Sequence, residues 1–386
     1  MMLITRLRNI LNGLLYRQIV KRIFFAFEPD RVHEEMVNTG HHLGKSAIAK
    51  ALVHSTFGTQ NIPELSQTLH GVQFRNPVGL SGGFDKNAIL TDIIPAVGFG
   101  FMEVGSITAK ESLGNPGQHL WRLPRSKSII VHYGLSNKGA EEIASRLREK
   151  IFTIPIGINI AKTNCPETNV VDVGIKDYAK TYKIFADIGD FFVINVSCPN
   201  VTGGQPFHNS KNLDLLLTEL ETTPTTKPMF LKISPDLTHE EIDAIIEVTE
   251  KHHIDGFICS NLTKRRNLTS IVEKNLPTVG GLSGKVVEPL ANELISYVYT
   301  KTRGEKTIIG VGGIFSAEDA YKKIRLGASL VELITGMIYQ GPQLISEINI
   351  GLAKLLKKDG FSHISEAVGI DQPGSRQRPL PTPQQT

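Results

Sequence analysis

From Asn76 onward the chain alternates eight times between a short apolar or β-branched run and a longer helical pattern, and nothing else in it restricts the fold as much. The runs fall at 78–80, 101–106, 156–160, 191–195, 230–233, 257–260, 308–311 and 330–334. Strands separated by helices pair in parallel, because each helix carries the chain back across one face of the sheet. Eight such units close a (β/α)8 barrel, the TIM barrel, so the expected class is α/β with one large barrel. Stripes with one apolar and one charged face read as helices at 138–150, 211–220, 239–252, 288–300 and 317–325. The longer gap from 107 to 155 leaves room for a small hairpin around 120–131.

A barrel of this kind needs roughly 250 residues, and the chain has 386. We therefore divide it into an N-terminal helical appendage at 1–45, the barrel at 46–370 and a tail at 371–386. The tail, rich in Pro and Gln with almost nothing apolar to bury, is expected to be disordered. Before Glu28 there are five cations and no acid, set among apolar residues at spacings of three and four. This pattern suits an amphipathic helix lying on a membrane, and the cations interrupt any run near the ~18 residues that a spanning helix needs. It also fits a helix packed on the protein's own body, or an Arg-rich organellar transit segment. A second helix should start at Pro29, a favoured first-turn residue, with Asp30, Glu34 and Glu35 opposing the helix dipole.

The N-terminal cations account for the net charge of +4, and their apolar interleaving fits a membrane surface better than nucleic acid. The three cysteines are too few for a disulfide framework, and no paired close ligands suggest a metal site. The expected compartment is reducing and cytoplasmic. The histidines fall mostly on helices and loops and read as solvated.

In such barrels chemistry gathers where the strands end at their C-termini. Here those positions carry SGGFDKN (81–87), Ser106, Asn159, NVSCPN (195–200), Lys232, Ser260 with Asn261, GVGGIFS (310–316), and Thr335 with Gly336. Gly312 and Gly313 let backbone N–H groups approach an anion, with Ser316 as the cap of the next helix, or they make only a tight connection. The dinucleotide fingerprint is absent, so no nicotinamide site is inferred. Lys86 and Lys232 should enter a half-enclosed pocket, where an ammonium is costly unless an anion meets it. A phosphorylated cofactor would satisfy both; structural salt bridges would do so too. Cys198 follows a strand between Ser197 and Pro199, and a thiol near ~8.5 is a better base at neutrality than a serine hydroxyl. A buried structural role is the alternative, and it fits Cys259 better; Cys165 lies in a polar loop.

The chain resembles the class 2, membrane-associated dihydroorotate dehydrogenases over residues 16–355. The resemblance rests on FEPDRVHE, NPVGLSGGFDKN, GFGFMEVGSIT, GNPGQHLWRLP, GINIAK, NVSCPN, LKISPDL, GGLSGK, IIGVGGIFS and ASLVELITGMIYQGP, all in order. It implies a TIM barrel with FMN at its top and an N-terminal helical pair forming a quinone entrance at the membrane. It assigns FMN to Gly83, Lys86, Ser106, Asn159, Asn195, Lys232, Ser260, Gly284, Gly313 and Thr335, with Gly82, Gly312 and Gly336 beside them. Lys86, Asn195, Asn200 and Asn261 would face the substrate, dihydroorotate, and its product orotate. Cys198 would be the base at C5 and Lys232 would stabilise the reduced flavin.

Three residues depart from the class 2 pattern. Cys198 stands where class 2 members carry Ser, as in the soluble class 1 enzymes, which use fumarate or NAD. Val131, in VHYGLS, replaces an asparagine that contacts orotate, and Leu262, in SNLT, replaces a threonine. The substrate could be held through neighbours such as His132, or be another dihydropyrimidine. From a different class of function, a membrane-attached flavin-binding barrel without catalysis would share the same fold. The resemblance puts the protein at the cytoplasmic face of a cell membrane; a cytoplasmic location, or the mitochondrial inner membrane if the N-terminus is a transit segment, are the alternatives.

Overall fold

The structure is a computed structural model that describes residues 2–373. Eight parallel strands close a barrel, each pairing with the next in sequence and the last with the first. We number them β1 (Val78–Leu80), β2 (Phe101–Ile107), β3 (Ile156–Ile160), β4 (Phe191–Asn195), β5 (Met229–Ile233), β6 (Gly256–Cys259), β7 (Thr307–Val311) and β8 (Leu330–Leu333). Every anticipated strand is present to within a residue or two, and the helices anticipated at 211–220, 288–300 and 317–325 match Ser210–Leu220, Glu288–Lys301 and Ala317–Arg325. Helices Val171–Ile184 and Leu344–Asp359 complete the outer ring.

Because strand side chains alternate between faces, residues two apart point the same way. At the bottom of the barrel Phe101, Phe191 and Phe230 pack edge to face, closed from below by Phe74 of the hairpin Gln67–Leu69 and Val72–Phe74. Gly79 and Gly157 make room for them: a Cβ at either would sit 2.3 Å from a ring atom of Phe101 or Phe191. Two residues beyond Phe101, Phe230 and Leu330 of this floor come Glu103 on β2, Lys232 on β5 and Glu332 on β8, all buried. TIM barrels usually fill such layers with Val, Ile and Leu. A charged layer above an apolar floor is therefore the first structural sign of a site at the top.

The expected hairpin forms from Leu120–Leu123 and Ser128–Val131, and it is extended by an unforeseen third strand, Gly281–Gly284, into a small antiparallel sheet beside the barrel mouth.

The N-terminal helix runs from Met2–Leu15 through a π-turn at Tyr16–Val20 to Lys21–Phe25, and the next, Pro29–Gly44, starts at the anticipated proline. A further helix, Ala47–Phe57, is capped by the Ser46 hydroxyl, which accepts from the Ala49 N–H. One side of the first helix is tied to the body: Arg8 donates to the carbonyls of Ser55 (2.8 Å) and Gly58 (2.6 Å), and Asn9 donates to Ser346 Oγ (3.0 Å). Its other side leaves Ile4, Leu7 and Leu11 74%, 59% and 58% exposed. One face of this helix is thus packed on the protein's own body, and the other is apolar and exposed. No helix among the described residues is long and apolar enough to cross a membrane.

Residues 374–386, most of the expected disordered tail, lie outside the described residues. At its start, Asp371 pairs with Arg325 at 2.5 Å and Gln372 donates to Ser296 and to the Leu326 carbonyl.

Candidate active site

All sixteen residues selected from the sequence line one cavity of about 1270 Å³ at the C-terminal mouth of the barrel, and Val131 and Leu262 line it with them. The strands explain the convergence, since each selected residue sits at or just beyond a strand's C-terminal end. The asparagines are knitted together: Asn195 donates to Ser106 Oγ (2.8 Å), and Asn261 donates to Asn195 Oδ1 (3.1 Å) and Ser197 Oγ (2.9 Å). Asn200 donates to the Val131 carbonyl (2.8 Å), and its own buried Oδ1 has no partner.

The two lysines differ. Lys232 Nζ lies 3.0 Å from Glu103 Oε1 and 3.2 Å from Ser81 Oγ, so its charge is already balanced inside the barrel. The inference that both ammonium groups await a ligand's anion therefore fails for Lys232. It stands for Lys86, which has no carboxylate within ion-pair distance among the described residues. Its Nζ donates to His33 Nε2 (3.2 Å) and lies 3.2 Å from the centre of the Tyr133 ring. Burial pulls the Lys86 ammonium down to about 8, although Asp30, Glu34 and Asp85 oppose this.

Burial pushes the Cys198 thiol up to about 11, against the Asn200 backbone N–H and the charges of Lys264, Lys162 and Lys232. Cys198 is therefore a protonated thiol at neutrality in this site, which corrects the ordinary thiol value used above. Cys259 is wholly buried on β6, as its structural reading requires, and Cys165 rests near Thr168. His132 does not line the cavity; its ring meets Asn115 Nδ2 at 3.3 Å.

A family profile described as "Dihydroorotate dehydrogenase" matches residues 64–356. The chain belongs to the dihydroorotate dehydrogenase family. A dihydroorotate dehydrogenase (quinone) of Crocosphaera subtropica is 40% identical over 361 residues, 89% of this chain and 94% of that one. The protein of the same name from Haloarcula marismortui is 42% identical over 301 residues, covering 78% and 84%. The crystal structure of the Eimeria tenella dihydroorotate dehydrogenase in complex with ferulenol superposes with a TM-score of 0.81 at 29% identity, covering 91% of this chain and 99% of that chain. Its ligand-free form gives 0.75 at 31% identity, covering 88% and 99%.

A second cavity in this dihydroorotate dehydrogenase family member, about 1760 Å³ and mostly apolar, lies between the N-terminal helices and the barrel. Five residues line both cavities: His33, Phe84, Leu120, Ile129 and Ile338. Few polar groups reach the second one. Tyr16 donates to the Ile338 carbonyl (2.8 Å), and Arg122 donates to the Phe27 carbonyl (2.7 Å) and covers the Phe25 ring at 4.6 Å.

Sequence reasoning missed three functional candidates. His33, counted among solvated histidines, is buried at the junction, where burial and the nearby Lys86 charge push it down to about 3. Its signal was the helical stripe Val32, Met36, Leu43 on which it lies. Glu103 and Glu332 were overlooked inside FMEV and LVEL, where an acid in an otherwise apolar buried strand was itself the signal.

Proposed function

We propose that the chain oxidises dihydroorotate to orotate in de novo pyrimidine biosynthesis, using FMN and passing the electrons to a membrane quinone. The observation that carries this reading is the convergence of the family's motif residues on one cavity that adjoins an apolar one.

The cavity suits a phosphorylated aromatic cofactor on its own terms. Lys86 lacks a counter-charge, Asn200 Oδ1 lacks a donor, and a Cβ at Gly83 would meet nothing within 4 Å, which leaves open space at the rim. Gly284, Gly312 and Gly313 hold φ values of +99°, +114° and +76°, which side chains rarely adopt, so backbone rather than side chains faces that end of the cavity. Gly82, Gly83, Ser106, Asn159, Ser260, Gly284, Gly312, Gly313, Thr335 and Gly336 would hold FMN, together with Lys86, Asn195 and Lys232. Bound there, FMN would supply the two-electron acceptor for the substrate's hydride.

The chain's own residues would do the rest. Cys198 Sγ, once deprotonated, takes the proton from C5 of dihydroorotate. The amides of Asn195, Asn200 and Asn261 orient the ring, a bound group that they fix by complementary hydrogen bonds. Lys86 would offer the substrate a positive charge, and Lys232, held by Glu103, would supply one to the cofactor.

The apolar second cavity supports a quinone tail, and the exposed apolar side of the first helix, on a segment with five cations and no acid, supports peripheral contact at the cytoplasmic face of a cell membrane. Residues 1–45 would be the membrane and quinone-entrance unit and 46–370 the catalytic one.

The deciding experiment is an anaerobic visible spectrum before and after dihydroorotate. Bleaching of a bound-flavin spectrum supports the reading; a flavin spectrum that persists refutes the substrate. One observation favours a second reading: Val131 and Leu262 present hydrocarbon to the cavity where amide and hydroxyl would bind orotate. Bleaching by dihydrouracil or dihydrothymine, but not dihydroorotate, would establish that reading instead.

A further inference from the structure

The layer beneath the cavity holds two carboxyl groups and one ammonium. Glu103 is satisfied as a carboxylate: it receives Lys232 Nζ at 3.0 and 3.2 Å and Asn159 Nδ2 at 2.5 Å. Glu332 is not. Its side chain is fully buried, neither oxygen receives a hydrogen bond, and the nearest cation, Lys232 Nζ at 3.9 Å, is already held by Glu103. An ionised carboxyl in that position, even with the Ser81 hydroxyl as a nearby donor, would be a buried charge beside a second buried negative charge, which is strongly unfavourable. A proton removes the conflict, because the Glu332 O–H can then donate to Glu103, which lies within reach.

We infer that Glu332 is a positioning residue kept as a neutral carboxylic acid that shares its proton with Glu103, so that Lys232 is balanced by one carboxylate instead of two. The groups that face Glu332 are Glu103 from β2 and Lys232 from β5, with the neutral Ser81 beyond β1; its β7 neighbours Ile309 and Val311 carry no charge. Burial and the Glu103 charge both push the Glu332 carboxyl well above the usual carboxylate range, while Lys232 opposes them. The charged layer is then neutral overall rather than negative. Glu332 lines the cavity, so its protonation state sets the field felt by whatever sits there. The consequence for a flavin rests on the proposed function; the protonation itself does not.

The test is infrared spectroscopy of the purified full-length protein at neutral pH, in water and in deuterium oxide, on wild type, Glu332→Gln and Glu103→Gln. Wild type should show a deuterium-sensitive carbonyl band of a protonated carboxyl. Glu332→Gln should lose it by deletion. Glu103→Gln should lose it too, because Lys232 then draws Glu332 into the ionised form. The flavin midpoint potential, read on the same holoproteins, should hardly move in either variant, since each retains one carboxylate against one ammonium. No protonated-carboxyl band in wild type, with the potential raised in both variants by the loss of a negative charge, would overturn the proposal. Should one variant fail to fold, the other still carries both readouts, and a protein that binds no flavin leaves the infrared comparison intact.

Discussion

Cys198 offers the sharpest test of the proposed chemistry, because its environment works against its task. The thiol is pushed up to about 11 in the substrate-free site. At pH 7 only about one molecule in ten thousand then carries a thiolate, and each pH unit raises that fraction tenfold. The pH dependence of kcat/KM reports the ionisation of the free enzyme. Flavin reduction by dihydroorotate, followed anaerobically by stopped flow at low substrate, should therefore climb about a thousandfold between pH 7 and 10 and level off only near 11. Cys198→Ala should keep the cofactor and abolish reduction. Cys198→Ser should be slower at every pH without levelling, because a hydroxyl ionises still higher. Lys264 is exposed, and its charge favours the thiolate more than that of Lys162 or Lys232, so Lys264→Met should move the limb to higher pH, and added salt should do the same by screening. A rate that is flat from pH 7 to 10, or that levels below pH 8, would refute the assignment of Cys198 as the titrating base.

Four further outcomes follow from the geometry. Val131→Asn and Leu262→Thr should lower KM for dihydroorotate, by ~1–3 kcal/mol per restored contact, or about 5- to 150-fold; an unchanged KM would mean the pocket has no room for these polar groups. Ile129→Trp, at the junction of the two cavities, should slow turnover with a long-chain quinone at least tenfold and leave anaerobic bleaching by dihydroorotate intact, whereas equal loss of both would show that the cavities do not serve separate half-reactions. Removing residues 1–45 should abolish sedimentation with anionic lipid vesicles and quinone turnover together; retained vesicle binding would count against the N-terminal helices. His33, held near 3, stays neutral in the fold while an unfolded histidine takes up its proton near 6.5. Stability should thus fall as pH drops from 6.5 toward 3, by up to ~1.4 kcal/mol per pH unit from this group alone. Melting curves of His33→Phe should show that much less acid sensitivity, and parallel curves for the two proteins would sink the argument.

What could be read from the sequence follows from what each pattern encodes. Short apolar or β-branched runs ending in Gly, Ser or Asn mark barrel strands locally, so β1 to β8 and the residues at their ends were accessible without coordinates. The strand Gly281–Gly284 was not, because three of its four residues carry little side chain and its pairing with Ser128–Val131 spans about 150 residues of sequence. The helix Ala47–Phe57 lacks a clear polar face and was missed for the same kind of reason. Electrostatics was the least legible layer. Lys232 and Lys86 look alike in sequence, each a lysine near a strand end, yet one is met by Glu103 across the barrel and the other by a neutral imidazole and an aromatic face. Counting inward positions from Lys232 would have brought Glu103 and Glu332 to the same level, since all three lie two residues beyond the layer formed by Phe230, Phe101 and Leu330. The alternation that identifies a barrel thus also identifies which charges share its interior, and a barrel strand that carries a single buried acid is a prompt to look for its counter-ion on the strands opposite.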